Sequence, residues 1–349
     1  MLPHLKLQKG RATQRALAPR IEPRVIHLGN GSAAATIEFS DGCSSAATCL
    51  RCPDARCMRF DPAELQVPGF ASFPGDGSTD VCASGAITWT LDDDSGPRID
   101  SSKCFGCGIC ATRCPVGAIH MTKDTKAVLV DEDTKHIRAD RAANALTTRA
   151  KIAGVPRHGA VALEGDSRVE HVAERISGLL GRSSPRFPNL LARNLLLGTG
   201  WQAAMRRSGD TNVRIDIFAQ RSTQHCAIEV EFSDAVIDAP RCVLDSLSVL
   251  LSRYSLKRDS LTGMVFAFSL PNQRSEYWQV IADIEKVLSV RVHTVTPMAL
   301  MMLLWAGKSL TAMPYGTYGS ASIRSGIEKS IGRKLAVSPG VAAALETAK

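Results

Sequence analysis

The sequence predicts two domains of different class: an α+β domain built around cysteines over 36–138, and an α/β domain with a central mixed sheet over 187–310. Three observations predict this. Nine of the eleven cysteines fall between Cys43 and Cys114. From Phe187 onward, helical and strand periodicities alternate along the chain. The 349 residues exceed what one small cysteine-rich fold needs and suit two domains with tails.

Residues 1–35 read as an irregular basic arm. Before Val25, Lys6, Lys9, Arg11, Arg15, Arg20 and Arg24 face one acid, Glu22. Pro3, Pro19 and Pro23 oppose regular structure, and GNGS at 29–32 is a turn signal. In a chain of net charge +8, such an arm either neutralises phosphates or is a solvated tail. Aromatic residues make up 5%, too few for a base-stacking platform. The first residues lack the apolar core of a secretory signal. The longest apolar run, Met298–Gly307, covers about ten residues, against roughly 20 for a membrane span. The expectation is a cytoplasmic protein without a membrane partner.

Without a signal peptide, cysteines grouped at short range favour metal ligation over disulfides. Residues 104–119 read CFGCGICATRCPVGAI. Cys104, Cys107, Cys110 and Cys114 therefore follow the pattern C-x2-C-x2-C-x3-C-P. Three thiolates two residues apart wrap one corner of an iron–sulfur cubane, and Gly106 and Gly108 let the backbone bend there. Pro115 keeps the next turn from closing early into a helix. CASGAI at 82–87 repeats CPVGAI at 114–119, and Cys49, Cys52 and Cys57 lie upstream of it.

Over about 75 residues this region resembles the bacterial-type two-cluster 4Fe-4S ferredoxins. The resemblance implies a ferredoxin-like fold and two 4Fe-4S clusters. The fourth cysteine of each motif serves the other cluster. Cys49, Cys52, Cys57 and Cys114 would hold one; Cys104, Cys107, Cys110 and Cys82 would hold the other. The first motif departs from the pattern: its last gap is four residues, 24 residues separate Cys57 from Cys82, and Ala83 replaces the usual Pro. The alternatives are a single cluster, with the first group binding zinc or nothing, or Cys43 as a ligand in place of Cys114 or Cys49. His120 follows the second motif; it either tunes a nearby cluster or, as expected, is a packed or surface histidine.

Residues 126–138 suggest a hairpin. The connector, 139–186, combines an Ala-rich helical stretch, a GVPRHG turn and a helix at 167–181. The second domain then reads as a helix over Pro188–Arg207 with its weak point at Gly198–Gly200, followed by strands at Asn212–Ala219 and Gln224–Phe232. A helix at Pro240–Tyr254 places Val243, Leu244, Leu247, Leu250 and Leu251 on one side. A strand at Gly263–Ser269, a helix at Ser275–Leu288 and a strand at Val290–Val295 complete the α/β core. The tail, 311–349, carries a weak basic helix with Ile323, Ile327 and Ile331 four apart. Cys226 and Cys242 are expected to be buried thiols, and His225 a strand-start residue.

In RIDIFA at 214–219, Asp216 shares a face with Arg214 and Phe218; in AIEVEF at 227–232, Glu229 and Glu231 share one. If the strands pair, the three acids converge, which is costly unless solvent or a divalent cation compensates. The bland alternative is a solvated sheet edge. Asp216, twelve intervening residues and then Glu229-x-Glu231 resemble the core of the PD-(D/E)xK restriction-endonuclease-like superfamily, as does the element order. The resemblance implies that Asp216 and Glu229 bind Mg²⁺ or Mn²⁺. Glu231, standing where Lys is usual, would complete the metal shell or act as general base. Arg206, Arg207, Arg214, Arg221 and Arg241 would be phosphate contacts on DNA.

Two functions compete: a metal-dependent DNA endonuclease carrying clusters, and a ferredoxin-type electron-transfer subunit whose second domain docks a redox protein partner. No Gly-rich dinucleotide fingerprint supports a flavin or nicotinamide site.

Overall fold

A computed structural model describes residues 60, 65, 75–88, 98–100, 102–113, 119–121, 127–129, 167–209, 214–310, 323–332, 334–335 and 345. The chain divides into two units, 1–59 with 84–164, and 60–83 with 165–349. Residues 60–83, expected within the cysteine-rich domain, are thus part of the second unit.

In the first unit, strand β1 (Ile87–Thr88) pairs antiparallel with β2 (Arg98–Ile99). Helix α1 (Ile109–Arg113) follows the cysteine loop. Strand β3 (Ile119–Met121) pairs antiparallel with β4 (Ala127–Leu129). The first residues of the hairpin expected over 126–138 thus pair with β3. Residues 130–138 lie outside the described residues, as do Cys43, Cys49, Cys52, Cys57, Cys114 and the basic arm.

The second unit is built on a five-stranded mixed sheet in the order β5-β6-β7-β8-β9. Helix α2 (Ser167–Leu180) precedes helix α3 (Phe187–Gly198). Here the sequence expectation needs correction: the helix does not run to Arg207. Gly200 takes a left-handed φ of 93°, the chain reverses, and Gln202–Met205 becomes β5. The run of Ala and Met had read as helix because its short strand lacks β-branched residues.

Strands β6 (Ile217–Arg221) and β7 (Gln224–Glu231) continue an antiparallel meander. Helix α4 (Ala239–Arg253) then crosses over to β8 (Leu261–Ala267), which lies parallel to β7. Helix α5 (Glu276–Leu288) leads to β9 (Val292–Val295), parallel to β8. Buried Val243, Leu247 and Leu250 seat α4 on the sheet. Gly263 of β8 leaves no room for a side chain: a Cβ would lie 2.3 Å from Val243 Cγ1.

Helix α6 (Pro297–Trp305) is buried along its whole length. Being apolar all round, it has no amphipathic period, so the sequence showed only an apolar run. It packs on α3 and on helix α7 (Ile323–Ile331). No helix among the described residues is long and apolar enough to cross a membrane.

Candidate cluster segment and carboxylate site

The cysteine loop begins at Asp100, whose carboxylate accepts from the Ser102 amide (2.9 Å) and hydroxyl (2.5 Å). These bonds, with Lys103 3.4 Å away, hold its pKa below the usual carboxylate value. The Asp100 carbonyl accepts from the amides of Lys103 and Cys104, turning the chain into the first cysteine. Gly106 and Gly108 then take φ of 86° and 75°, a region open to glycine without steric cost. Phe105 and Ile109 are buried in this unit's core, Cys104 and Cys107 are half-buried, and Cys110 is buried in the first turn of α1.

Cys82, Cys104, Cys107 and Cys110 are thiols and not disulfide-linked. Cys82 falls in the second unit and the other three in the first. Among the described residues, no three His, Cys, Asp or Glu side chains are gathered about a single-ion point. A cubane is a larger object that gives each thiolate its own iron. The two left-handed glycines between the cysteines, and the helix that starts at the third, are the backbone such a cluster requires.

The second site lies on the β6–β7 pair. Ile217 stands opposite Ile228, so Asp216, one residue before, faces Glu229, one residue after. Asp216 Oδ2 accepts from the Val230 amide at 3.1 Å, and the Asp216 carbonyl accepts from the Arg206 amide at 3.0 Å. Burial raises the Asp216 pKa, and Glu231 adds to the rise, while Val230, Arg206 and Asn189 oppose it. Glu229 is pushed up to about 8, first by burial and then by the charges of Asp216 and Glu231; Arg206 opposes this too.

Glu231 shares that electrostatic neighbourhood, but its Oε1 is occupied. It accepts from the Ser233 amide (2.8 Å) and hydroxyl (2.6 Å), at the start of the turn leading to α4. Glu231 Oε2 has no such bond among the described residues, and Asp216 likewise accepts through one oxygen only, so Asp216 and Glu229, with or without Glu231, could hold a divalent cation. That fits Mg²⁺, which is held by one or two carboxylates with the remaining positions taken by water and phosphate.

The arginines divide. Arg206 is half-buried at the carboxylates, and Arg207 and Arg214 are exposed. Arg221 is not at this end: five residues beyond Asp216 on an extended strand is roughly 16 Å, and its guanidinium donates to the Leu310 carbonyl. Arg241 is held by Asp238 (2.7 Å) and Glu276 (2.9 Å). Arg221 is thus removed from the expected phosphate contacts, while Arg241 stays half-exposed in its ion pairs.

Cys226 is fully buried, and burial pushes its thiol up to about 12. Cys242 corrects the expectation of a buried thiol: it is exposed, because α4 turns Val243, Ser246 and Leu247 inward. His225 is the second residue of β7, buried against Phe218 at 5.8 Å between ring centroids.

Asn189, Arg193 and Asn194 were not singled out from the sequence. The only signal for the latter pair was two polar residues inside the apolar run LLARNLLLG of α3.

A pH dependence follows. With a folded pKa of about 8 for Glu229 against an unfolded value near 4.3, the folded state binds the extra proton. This contribution to stability is fully present below about pH 4 and is lost as pH rises through about 8. Glu229→Gln should flatten that loss in thermal melts between pH 5 and 9. If wild type and variant melt in parallel over this range, the burial of a protonated Glu229 is wrong.

Comparison with known proteins agrees with the first site. Residues 97–120 match the 4Fe-4S binding domain family. No curated protein matches the chain. The segment from β2 through the cysteine loop to β3 is therefore a 4Fe-4S binding domain, and this is an iron–sulfur protein.

Proposed function

We propose that the protein joins a two-cluster 4Fe-4S module to a divalent-metal-dependent nuclease centre, with Asp216 and Glu229 as metal ligands and DNA as substrate. The observation that carries this reading is the placement of Asp216 opposite Glu229 on adjacent antiparallel strands, with Arg206 acting electrostatically on both. The order helix, three-stranded meander, helix, parallel strand agrees with the order that the sequence resemblance implies. The position of Glu229 and Glu231 at the carboxyl end of β7 supports the reading further, since open α/β sheets bind ligands beyond the carboxyl ends of their strands.

Two facing carboxylates, one favouring its proton at neutral pH, form a centre that a cation would discharge. When bound, Mg²⁺ or Mn²⁺ supplies Lewis-acid stabilisation of a scissile phosphate and activates water. The Val230 amide orients the Asp216 carboxylate. Arg206 tempers the repulsion between the acids, and exposed Arg207 and Arg214 offer cations to a phosphate backbone. Ser233 orients Glu231 through its Oε1, and its Oε2 would complete the metal shell or act as general base on the attacking water.

Plasmid DNA incubated with the purified protein and Mg²⁺ or Mn²⁺ tests the reading. Cleavage is expected, with a loss of at least about 100-fold in Asp216→Ala and in Glu229→Ala while iron content is unchanged. DNA left uncut across both metals, with no affinity for phosphate backbone, refutes it. Anaerobic quantitation should find about eight irons per chain if both clusters form and about four if one does.

A further inference from the structure

We propose that residues 75–81 are a strap that holds Arg206 at the carboxylate site, which makes Asp76, Arg193 and Asn194 positioning residues for that site; the use made of the site rests on the nuclease reading, the positioning does not. Strap, sheet and helix α3 all belong to the second unit. Met205 stands opposite Ile217, and Ile217 opposite Ile228. One residue further along, Arg206, Asp216 and Glu229 therefore form a single row across three antiparallel strands. Residues directly opposite one another present their side chains on the same face. The outer end of the row is Gly75, which bridges antiparallel to Arg206.

Arg206 lies just past the end of β5, the edge strand of the sheet. On the inner side its amide donates to the Asp216 carbonyl at 3.0 Å. On the outer side the strap pins it: beside the Gly75 bridge, the Asp76 amide donates to the Met205 carbonyl at 2.9 Å. The strap is fastened in turn to α3. Asp76 forms an ion pair with Arg186 at the start of that helix, and its Oδ1 accepts from the Ser78 amide at 2.9 Å. Arg193 donates to the Ser78 carbonyl and, at 2.6 Å, to the Asp80 carbonyl. Asn194 Nδ2 donates to the Val81 carbonyl at 2.8 Å, while its Oδ1 accepts from Arg193 Nε at 2.9 Å. Both residues are buried, at 1% and 0% exposure. A leucine would fill the Arg193 position of an apolar helix without desolvating a charge. What the guanidinium supplies instead is a fixed backbone for the strap.

The chemistry follows from the row. Two buried carboxylates side by side resist ionisation, and a cation at their end favours it. The groups acting on Glu229 are Asp216 of β6, Glu231 of its own strand and Arg206, and from α4 the Cys242 thiol shares the field. Arg206 is the positive one among them. If it drifts away, Glu229 keeps its proton to higher pH, so the strap sets the pH above which the pair accepts a divalent cation.

The test follows ionisation of Glu229 in the full chain, as the infrared absorption of a protonated carboxyl that Glu229→Gln removes. Its midpoint, at about 8 in wild type, should rise by about one pH unit in Arg206→Gln. Asn194→Ala and Asp76→Asn, with unchanged circular dichroism spectra, should raise it by roughly half as much. Neither should add to Arg206→Gln in a double variant. Asp76→Asn removes a negative charge, which by itself would lower the midpoint, so a rise reports the strap; this variant keeps the side chain's shape and decides the matter if Asn194→Ala does not fold. Strap variants that titrate as wild type or lower, or whose effects add in full to that of Arg206→Gln, refute the proposal. So does an unchanged midpoint in Arg206→Gln. None of these outcomes needs DNA. Where plasmid is cut, the acid limb of the cleavage profile should move up with the midpoint; where it is not, the nuclease reading fails and the titration still decides the strap.

Discussion

Cys110→Ser is expected to destroy the 4Fe-4S centre of the 97–120 segment. Cys110 is buried in the first turn of α1, where the chain has already been bent by two left-handed glycines. A serine there offers a harder, more basic oxygen where iron–sulfur chemistry selects soft thiolate. Because ligand binding and local folding are one equilibrium, the loss should extend beyond the metal, to the short pairings of β1 with β2 and β3 with β4. About four irons per chain should disappear, together with the EPR signal of the reduced cluster. A Cys110→Ser protein that retains full iron and an unchanged spectrum would remove this residue from the ligand set. Gly106→Ala tests the loop by a separate route: at a φ of 86° a Cβ is strained whatever surrounds it, so cluster assembly should be slower although every thiol remains.

The second large effect is expected at Gly263. A Cβ there would meet Val243 Cγ1 at 2.3 Å, Leu247 Cδ1 at 3.2 Å and Val292 Cγ2 at 3.3 Å. All three neighbours are buried. Val243 is β-branched and rotamer-restricted on a helix, so it cannot swing aside, and α4 must lift from β8. Overpacking of this kind costs about 1–3 kcal/mol, and the shortest contact puts Gly263→Ala at the upper end. The melting temperature of the second unit should fall by roughly 6–12 °C. Val243→Ala in the same protein should recover part of that loss, a coupling that a double-mutant cycle measures. Additive losses would mean that α4 does not seat on Gly263 as described.

The legibility of this molecule in its sequence varied with the range of the forces involved. The cysteine loop was readable because its chemistry is local: ligand spacing and bending glycines lie within ten or so residues. Helices α4 and α5 announced themselves by one apolar face each, and their ends fall within a residue or two of expectation. The convergence of Asp216 and Glu229 needed only strand alternation and the correct pairing. Strand β5 was hidden, since Gln202–Met205 has no strand-favouring residues and becomes a strand only by pairing with β6. Helix α6 was hidden by its uniform apolarity. The turning of Glu231 to Ser233 and the outward place of Cys242 depend on side-chain partners that no period encodes. The tie between α3 and residues 78–81 is longer in range still, joining positions 113 to 115 apart.

That last separation bears on how the molecule is made. As the chain leaves the ribosome, residues 60–83 emerge long before the helix that receives them, and the 84–164 segment must be synthesised in between. The carbonyls of Ser78, Asp80 and Val81 stay hydrated until Arg193 and Asn194 arrive, so this unit cannot complete its fold by vectorial addition from its N-terminal end. Closing so long a loop is entropically slow, and the exposed nascent segment is open to proteolysis in the interval. A fragment beginning at 165 would leave Arg193 without two of its acceptors, and adding a 60–83 peptide in trans should restore them.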